Sequence, residues 1–240
     1  MPSRFELISV RISPFCELAR WVLDRAGIPY KESYHAPLWR RAAHAAIIKT
    51  PDAILDARSL IETLFPSDPD QRREVDSLVR TFFEDLAGPI LVYAYANMLA
   101  NPNVTTTLIT DRAPWWEAVF VQMFYPAQAW AIRKALGITP ASTEKARQQI
   151  LSTFETVSAR LEIGQLYFVG DRLTAADLTF AALTAPLLLP PEYGAPLPKF
   201  VDLPLEMEVT ARAAQDSLAG QLALRIYRDH RNPAPPPENA

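Results

Sequence analysis

FELISVRISPFCELARWVLDRAG, from Phe5 to Gly27, changes period half-way along. Its first part alternates, with Phe5, Leu7 and Ser9 on one face and Glu6, Ile8 and Val10 on the other; the β-branched Ile8 and Val10 suit a pleated strand. The alternation breaks at Ser13-Pro14. Apolar residues then recur at helical spacing through Phe15, Leu18, Ala19, Val22 and Ala26, and Gly27 stands where a helix stops. Pro14 fits a first helical turn, where a missing amide N–H costs nothing. Ser13 is therefore read as the N-cap, its hydroxyl beside unpaired amide donors and the positive end of the helix. Such a position holds an anion, and a thiolate is an anion. Capping alone would require the same residue.

Around this stretch lies an ordinary globular composition: 240 residues, 49% hydrophobic, with a formal net charge of -3, enough for one or two domains. A pI of about 5.7 and the lack of a basic run give no reason to expect nucleic acid as a partner. The longest apolar stretch, Leu86 to Ala100, is interrupted by Gly88-Pro89 and carries Tyr93, Tyr95 and Asn97. It is too short and too polar to span a bilayer, so no membrane partner is expected. No charged start leads into a long apolar segment, which removes the expectation of a secretory signal and makes the cytoplasm the expected compartment. One cysteine excludes an internal disulfide and a cysteine metal cluster, and His35, His44 and His230 make no ligand pattern; no metal site is expected.

The remaining segments divide by pattern. Tyr30 to Tyr34 reads as a second strand, His35 to His44 as a short basic stretch with room for a helical turn or two. Ala46 to Lys49 and Ala53 to Leu55 flank the turn Thr50-Pro51-Asp52, and Asp56-Ala57-Arg58-Ser59 opens a helix that ends before Pro66. Strand, helix, strand, short helix, hairpin and helix make a thioredoxin-like α/β layer over residues 1–65. Residues 66–71 are turn-rich and read as a linker. From 72 to 231 the pattern is helical throughout, with a kink expected at Gly88-Pro89, an aromatic-rich helix from Asp111 to Leu136, and a clean amphipathic helix from Ser142 to Leu161. Residues 232–240 hold four prolines and no periodicity, the signature of a mobile tail.

A second landmark is Gly170-Asp171-Arg172-Leu173-Thr174-Ala175-Ala176-Asp177-Leu178. Thr174 and Asp177 have capping-box spacing, with Leu173 and Leu178 at the staple positions. The helix that follows is apolar all round and so should be buried.

Both landmarks resemble one family. Ser13-Pro14-Phe15-Cys16 is similar to the Cys-Pro-Tyr-Cys site of glutaredoxins with Ser in place of the first Cys. With Arg20 and the turn Ala26-Gly27-Ile28-Pro29-Tyr30 it resembles the opening of a serine-type glutathione transferase, the tau class being the nearest comparison. Gly-Asp-x-x-Thr-x-Ala-Asp is similar to the box before the buried helix of that family's C-terminal domain. The resemblance implies a thioredoxin-like N-terminal domain followed by an all-α C-terminal domain, and a homodimer. It also implies glutathione as co-substrate, with the Ser13 hydroxyl stabilising its thiolate for attack on a small hydrophobic electrophile. Glutathione contacts carried over from the family fall at Phe15, Ala45, Ala46, Ile47, Asp56 and Ala57. Two of these depart from the pattern: no proline stands at Ala45 or Ala46, where the family has a cis-proline, and Ala57 replaces a serine. The hydrophobic pocket is assigned to the aromatic-rich helix, at Trp115, Trp116, Phe120 and Phe124, with Tyr125 beside them. Two other readings use the same scaffold: a non-catalytic binding protein whose glutathione site is degraded at Ala46 and Ala57, and a thiol oxidoreductase working through Cys16.

Overall fold

The computed structural model describes residues 5–37, 47–49, 54, 55, 61, 64–162 and 164–231. The opening stretch forms strand β1 (Phe5–Ser9), a turn, and helix α1 (Pro14–Arg25). Gly27 follows at φ 62°, the left-handed geometry that lets the Ile28 amide reach back to the Leu23 carbonyl at 3.0 Å. Strand β2 (Tyr30–Tyr34) then pairs with β1 in parallel, from Phe5 opposite Tyr30 to Ser9 opposite Tyr34. Strands β3 (Ile47–Lys49) and β4 (Ile54–Leu55) complete a sheet of order β2-β1-β3-β4, both added antiparallel. This is the thioredoxin-like layer, with α1 packed on the sheet through Leu18 and Val22 against Leu7 and Ile48.

The helical half begins earlier than its apolar pattern does. Helix α2 (Pro69–Phe82) starts inside the stretch read as a linker, because Asp68 caps it, accepting from the Asp70 and Gln71 amides at 3.0 and 2.9 Å, and Pro69 takes the first turn. The kink expected at Gly88-Pro89 is a π turn, Phe83–Ala87, ahead of α3 (Gly88–Met98). Pro89 leaves the Asp85 carbonyl without its helical donor, and Gln149 Nε2 supplies one at 3.2 Å. Helix α4 (Pro102–Ile109) is short. The aromatic-rich segment forms two helices instead of one, α5 (Trp115–Met123) and α6 (Tyr125–Ala135), parting where Tyr125-Pro126 opens a new first turn. Helix α7 (Pro140–Arg160), capped by Thr139, lies along α3. After α8 (Ala175–Leu188) come α9 (Leu205–Asp216) and α10 (Leu218–His230), separated by the capping Ser217.

Helix α8 is buried along its whole length and carries the core. Phe180 stacks with Phe82, Phe154 and Phe168 at ring separations of 5.0 to 5.5 Å. Trp21 of α1 meets Tyr227 of α10 at 4.6 Å, so one apolar cluster runs from the sheet to the last helix. Val79 of α2 belongs to this cluster. No helix among the described residues is long and apolar enough to cross a membrane.

Candidate functional site

Ser13 sits between β1 and α1 with extended backbone (φ -68°, ψ 128°), the geometry of an N-cap. Its own amide donates to the Val10 carbonyl at 2.9 Å and its carbonyl accepts from the Glu17 amide at 3.0 Å. The hydroxyl makes no capping bond to the helix backbone; its contact within α1 is with the Cys16 thiol.

Ser13 is nearly buried and lines an apolar cleft between the two halves. Ile12 and Pro14 flank it on the turn. Leu91, Ala94, Tyr95 and Met98 face it from α3, Pro186 comes from α8, and Leu197 and Pro198 from the Pro-rich loop between α8 and α9. The cleft is narrow, with a cavity volume of about 20 Å³. Tyr95 is the polar exception on the wall opposite Ser13: burial pushes its hydroxyl up to about 12, so it stays a protonated donor near neutral pH.

A buried charge network fixes the turn that carries Ser13. Glu17, fully buried in the first turn of α1, pairs with Arg20 on one oxygen. Its other oxygen accepts from Arg231 Nε at 2.6 Å and the Gly194 amide at 3.1 Å. Burial pushes the Glu17 carboxyl up, but Arg20 and Arg231 outweigh it and hold it below the usual carboxylate range. Arg20 also meets Glu32 of β2 at 3.0 Å and the Arg11 carbonyl at 2.5 Å, while Tyr193 donates to the Ile12 carbonyl at 2.9 Å. On the other side of the cleft, buried Glu117 of α5 accepts from the Ala36 amide at 2.7 Å and meets His35 Nδ1 at 2.7 Å. These contacts tie the sheet to α5, α10 and the Pro-rich loop at the level of Ser13.

The residues expected at the site fare differently. Ser13 lies in the cleft. Phe15 turns its ring into the protein against Phe83, 6.4 Å away, which leaves only its backbone near the cleft. Ala45, Ala46, Asp56 and Ala57 lie outside the described residues, as does the Ile47 side chain. Trp115, Trp116, Phe120 and Phe124 do not line the cleft: α5 turns Glu117 and Val121 inward and those four rings outward to solvent. Tyr125 is buried, its hydroxyl on the Leu99 carbonyl at 3.2 Å. The apolar wall comes instead from α3, whose Leu91, Ala94, Tyr95 and Met98 repeat at i, i+3, i+4 and i+7; that spacing is legible in the sequence, but not the direction in which it faces. Cys16 is buried among apolar neighbours, and burial raises its thiol pKa against the opposing pull of Arg20 and of a hydrogen bond with the Ser13 side chain. Among the described residues no group of acidic, His and Cys side chains could hold a metal ion.

Residues 122–203 match the family model of the glutathione S-transferase C-terminal domain. The chain carries a glutathione S-transferase C-terminal domain. Its fold agrees with glutathione transferases over nearly the whole length. A theta class glutathione S-transferase from Xanthomonas axonopodis pv. citri, with glutathione bound, is 15% identical at a TM-score of 0.54, over 93% of this chain and 98% of that one. The beta-etherase LigF from Sphingobium sp. strain SYK-6 is 13% identical at 0.58, over 92% and 99%. A possible glutathione S-transferase from Rhodopseudomonas palustris is 15% identical at 0.56, over 93% of each. No curated protein sequence matches the chain. The capping box lies inside the matched segment: Asp177 accepts from the Phe168 and Thr174 amides at 2.8 and 2.7 Å and from the Thr174 hydroxyl at 2.8 Å.

Proposed function

We propose that this glutathione transferase-fold protein conjugates glutathione to a small hydrophobic electrophile, with Ser13 as the residue that stabilises the thiolate. The observation that carries the reading is the position of Ser13: a hydroxyl at the N-terminus of α1 that caps no backbone amide and lines an apolar cleft. A hydrogen bond from that hydroxyl, together with the positive end of the helix, lowers the pKa of a thiol placed there and keeps it nucleophilic. The thiolate then attacks carbon in the cleft, where water is scarce and the lining from α3 selects apolar molecules. The theta class neighbour with glutathione bound supports glutathione as the co-substrate. We assign its remaining contacts to the backbone at Phe15 and to Ala45, Ala46, Ile47, Asp56 and Ala57, the electrophile pocket to the α3 wall, and a detoxifying role in the cytoplasm to a two-fold dimer.

Ser13→Ala tests this with a generic aryl halide as electrophile. Loss of one oriented donor should lower kcat about 10²-fold with the thermal midpoint unchanged. Retention on immobilised glutathione with undiminished turnover in the variant would hand the thiolate to another group; no retention of the unaltered protein would leave a scaffold without this chemistry.

A further inference from the structure

Tyr93 donates its hydroxyl to Thr210 at 3.0 Å, Tyr125 to the Leu99 carbonyl at 3.2 Å and Tyr193 to the Ile12 carbonyl at 2.9 Å. Tyr95 breaks this rule. Only 8% exposed, it lines the cleft from α3, facing Ser13, yet its hydroxyl bonds to nothing among the described residues. Nor is that hydroxyl sealed in, as the unpartnered hydroxyls of Thr179 and Tyr227 are; the open space within its reach is the cleft. The ring packs with Leu91, Leu99, Tyr125 and Ile132, which hold the hydroxyl in place and keep it from finding a partner elsewhere. A buried polar group with its hydrogen bond unmade costs stability, and a ligand that accepts the bond offsets that cost.

Ser13 stands on one wall and Tyr95 on the other, across a cavity of about 20 Å³, room for one small group. A thiolate held at Ser13 therefore attacks a carbon that has a free hydroxyl donor on its far side. We propose, resting on the role given to Ser13, that the Tyr95 hydroxyl is the proton donor to the electrophile's oxygen and that the electrophile is an apolar epoxide. In an epoxide the attacked carbon is bonded directly to the oxygen, which suits so narrow a space; an enone holds its oxygen further from the carbon attacked. The thiol proton of glutathione leaves to water as the thiolate forms. The sulfur–carbon bond forms while the ring's carbon–oxygen bond breaks, and the electron pair of that bond goes to the oxygen. The oxygen takes the Tyr95 proton, the product leaves as a hydroxy thioether, and the phenolate regains a proton from water. Burial holds the Tyr95 hydroxyl at about 12, still more acidic than an alcohol, so the proton passes readily to an alkoxide. An aryl halide needs no such donor, because halide leaves as a stable anion.

Conjugation of glutathione to styrene oxide and to dinitrochlorobenzene by the full chain tests the proposal, read as the ratio of the two kcat/KM values. In Tyr95→Phe the ratio of epoxide to halide should fall about 10²-fold, as for loss of a general acid. In Ser13→Ala, which weakens the thiolate common to both reactions, both values should fall and their ratio should stay within about 2-fold. Tyr95→Phe removes a hydroxyl that the protein itself does not use, so its thermal midpoint should match or exceed that of the unaltered protein. An unmoved ratio, turnover of the halide without the epoxide, or a lowered midpoint would each overturn the assignment to Tyr95 while leaving Ser13 its role. Turnover of neither electrophile by the unaltered protein would remove the Ser13 reading and this one with it.

Discussion

Gly194 approaches the buried charges so closely that a side chain has no place: a Cβ there would stand 2.6 Å from Glu17 Oε2 and 2.8 Å from Arg231 Nη2. Gly194→Ala should therefore destabilise by about 1–3 kcal/mol through overpacking. Glu17→Ala, which strands two arginines without their buried partner, should cost about 3–5 kcal/mol. Urea denaturation measures both, and a change within error in either variant would show that the network relaxes at no cost. Cys16 makes the opposite prediction. Being buried with a raised pKa, it should resist iodoacetamide at neutral pH for as long as the fold persists; rapid labelling with loss of activity would favour an oxidoreductase. Single residues were legible in the sequence where local geometry decides them, as with Ser13 before Pro14. Glu17 and Arg231 were not, because a charge on an apolar helix face reads as solvated until the residue 214 positions away is placed against it.

Among elements, the Thr174–Asp177 box offers a test with a sign. Burial pushes the Asp177 carboxyl up to about 6, against three hydrogen bonds that favour its charged form. The folded protein then holds this proton more tightly than the unfolded chain, whose aspartate titrates near 4. Stability from Asp177 is accordingly full below about pH 4 and declines as the pH rises to about 6, by up to about 3 kcal/mol. The advantage of the wild type over Asp177→Asn, followed by denaturation across that window, should shrink with rising pH; a growing advantage would show that the hydrogen bonds outweigh burial. Elements with local start signals could be read directly: β2 and α1 follow from their periods and Gly27, and the box announces α8. Asp68-Pro69 and Tyr125-Pro126 carried equally local signals for the starts of α2 and α6, obscured by a turn-rich run and by the aromatic run. The outward turn of the α5 aromatics was not legible, since apolar spacing gives a helix one face without naming its neighbour, and Glu117 settles the question only once His35 and Ala36 are beside it.

At the scale of the molecule, the two-layer plan could be read from two motifs about 160 residues apart, whereas the cleft between the layers depends on how α3 and the Pro-rich loop close over Ser13. Assembly is a separate question. One candidate for a two-fold contact, the stretch from Phe65 to Phe83, already spends much of its charge internally, pairing Arg73 with Asp70, Arg80 with Asp76 and Glu74 with Arg160. Phe65 and Phe83 remain as its half-buried apolar anchors. Sedimentation equilibrium at micromolar protein should give about twice 26.9 kDa, and a mass equal to the single chain would remove the dimer. The bond from Arg231 to Glu17 has one more consequence, for a chain still on the ribosome. Helix α1 leaves the exit tunnel well before its buried carboxylate meets the second of its two arginines, which lies 214 positions further along the chain. The Ser13 turn is translated long before the arginine that locks it, so a chain broken off just before Arg231 would hold nearly the whole described core around an unfinished site.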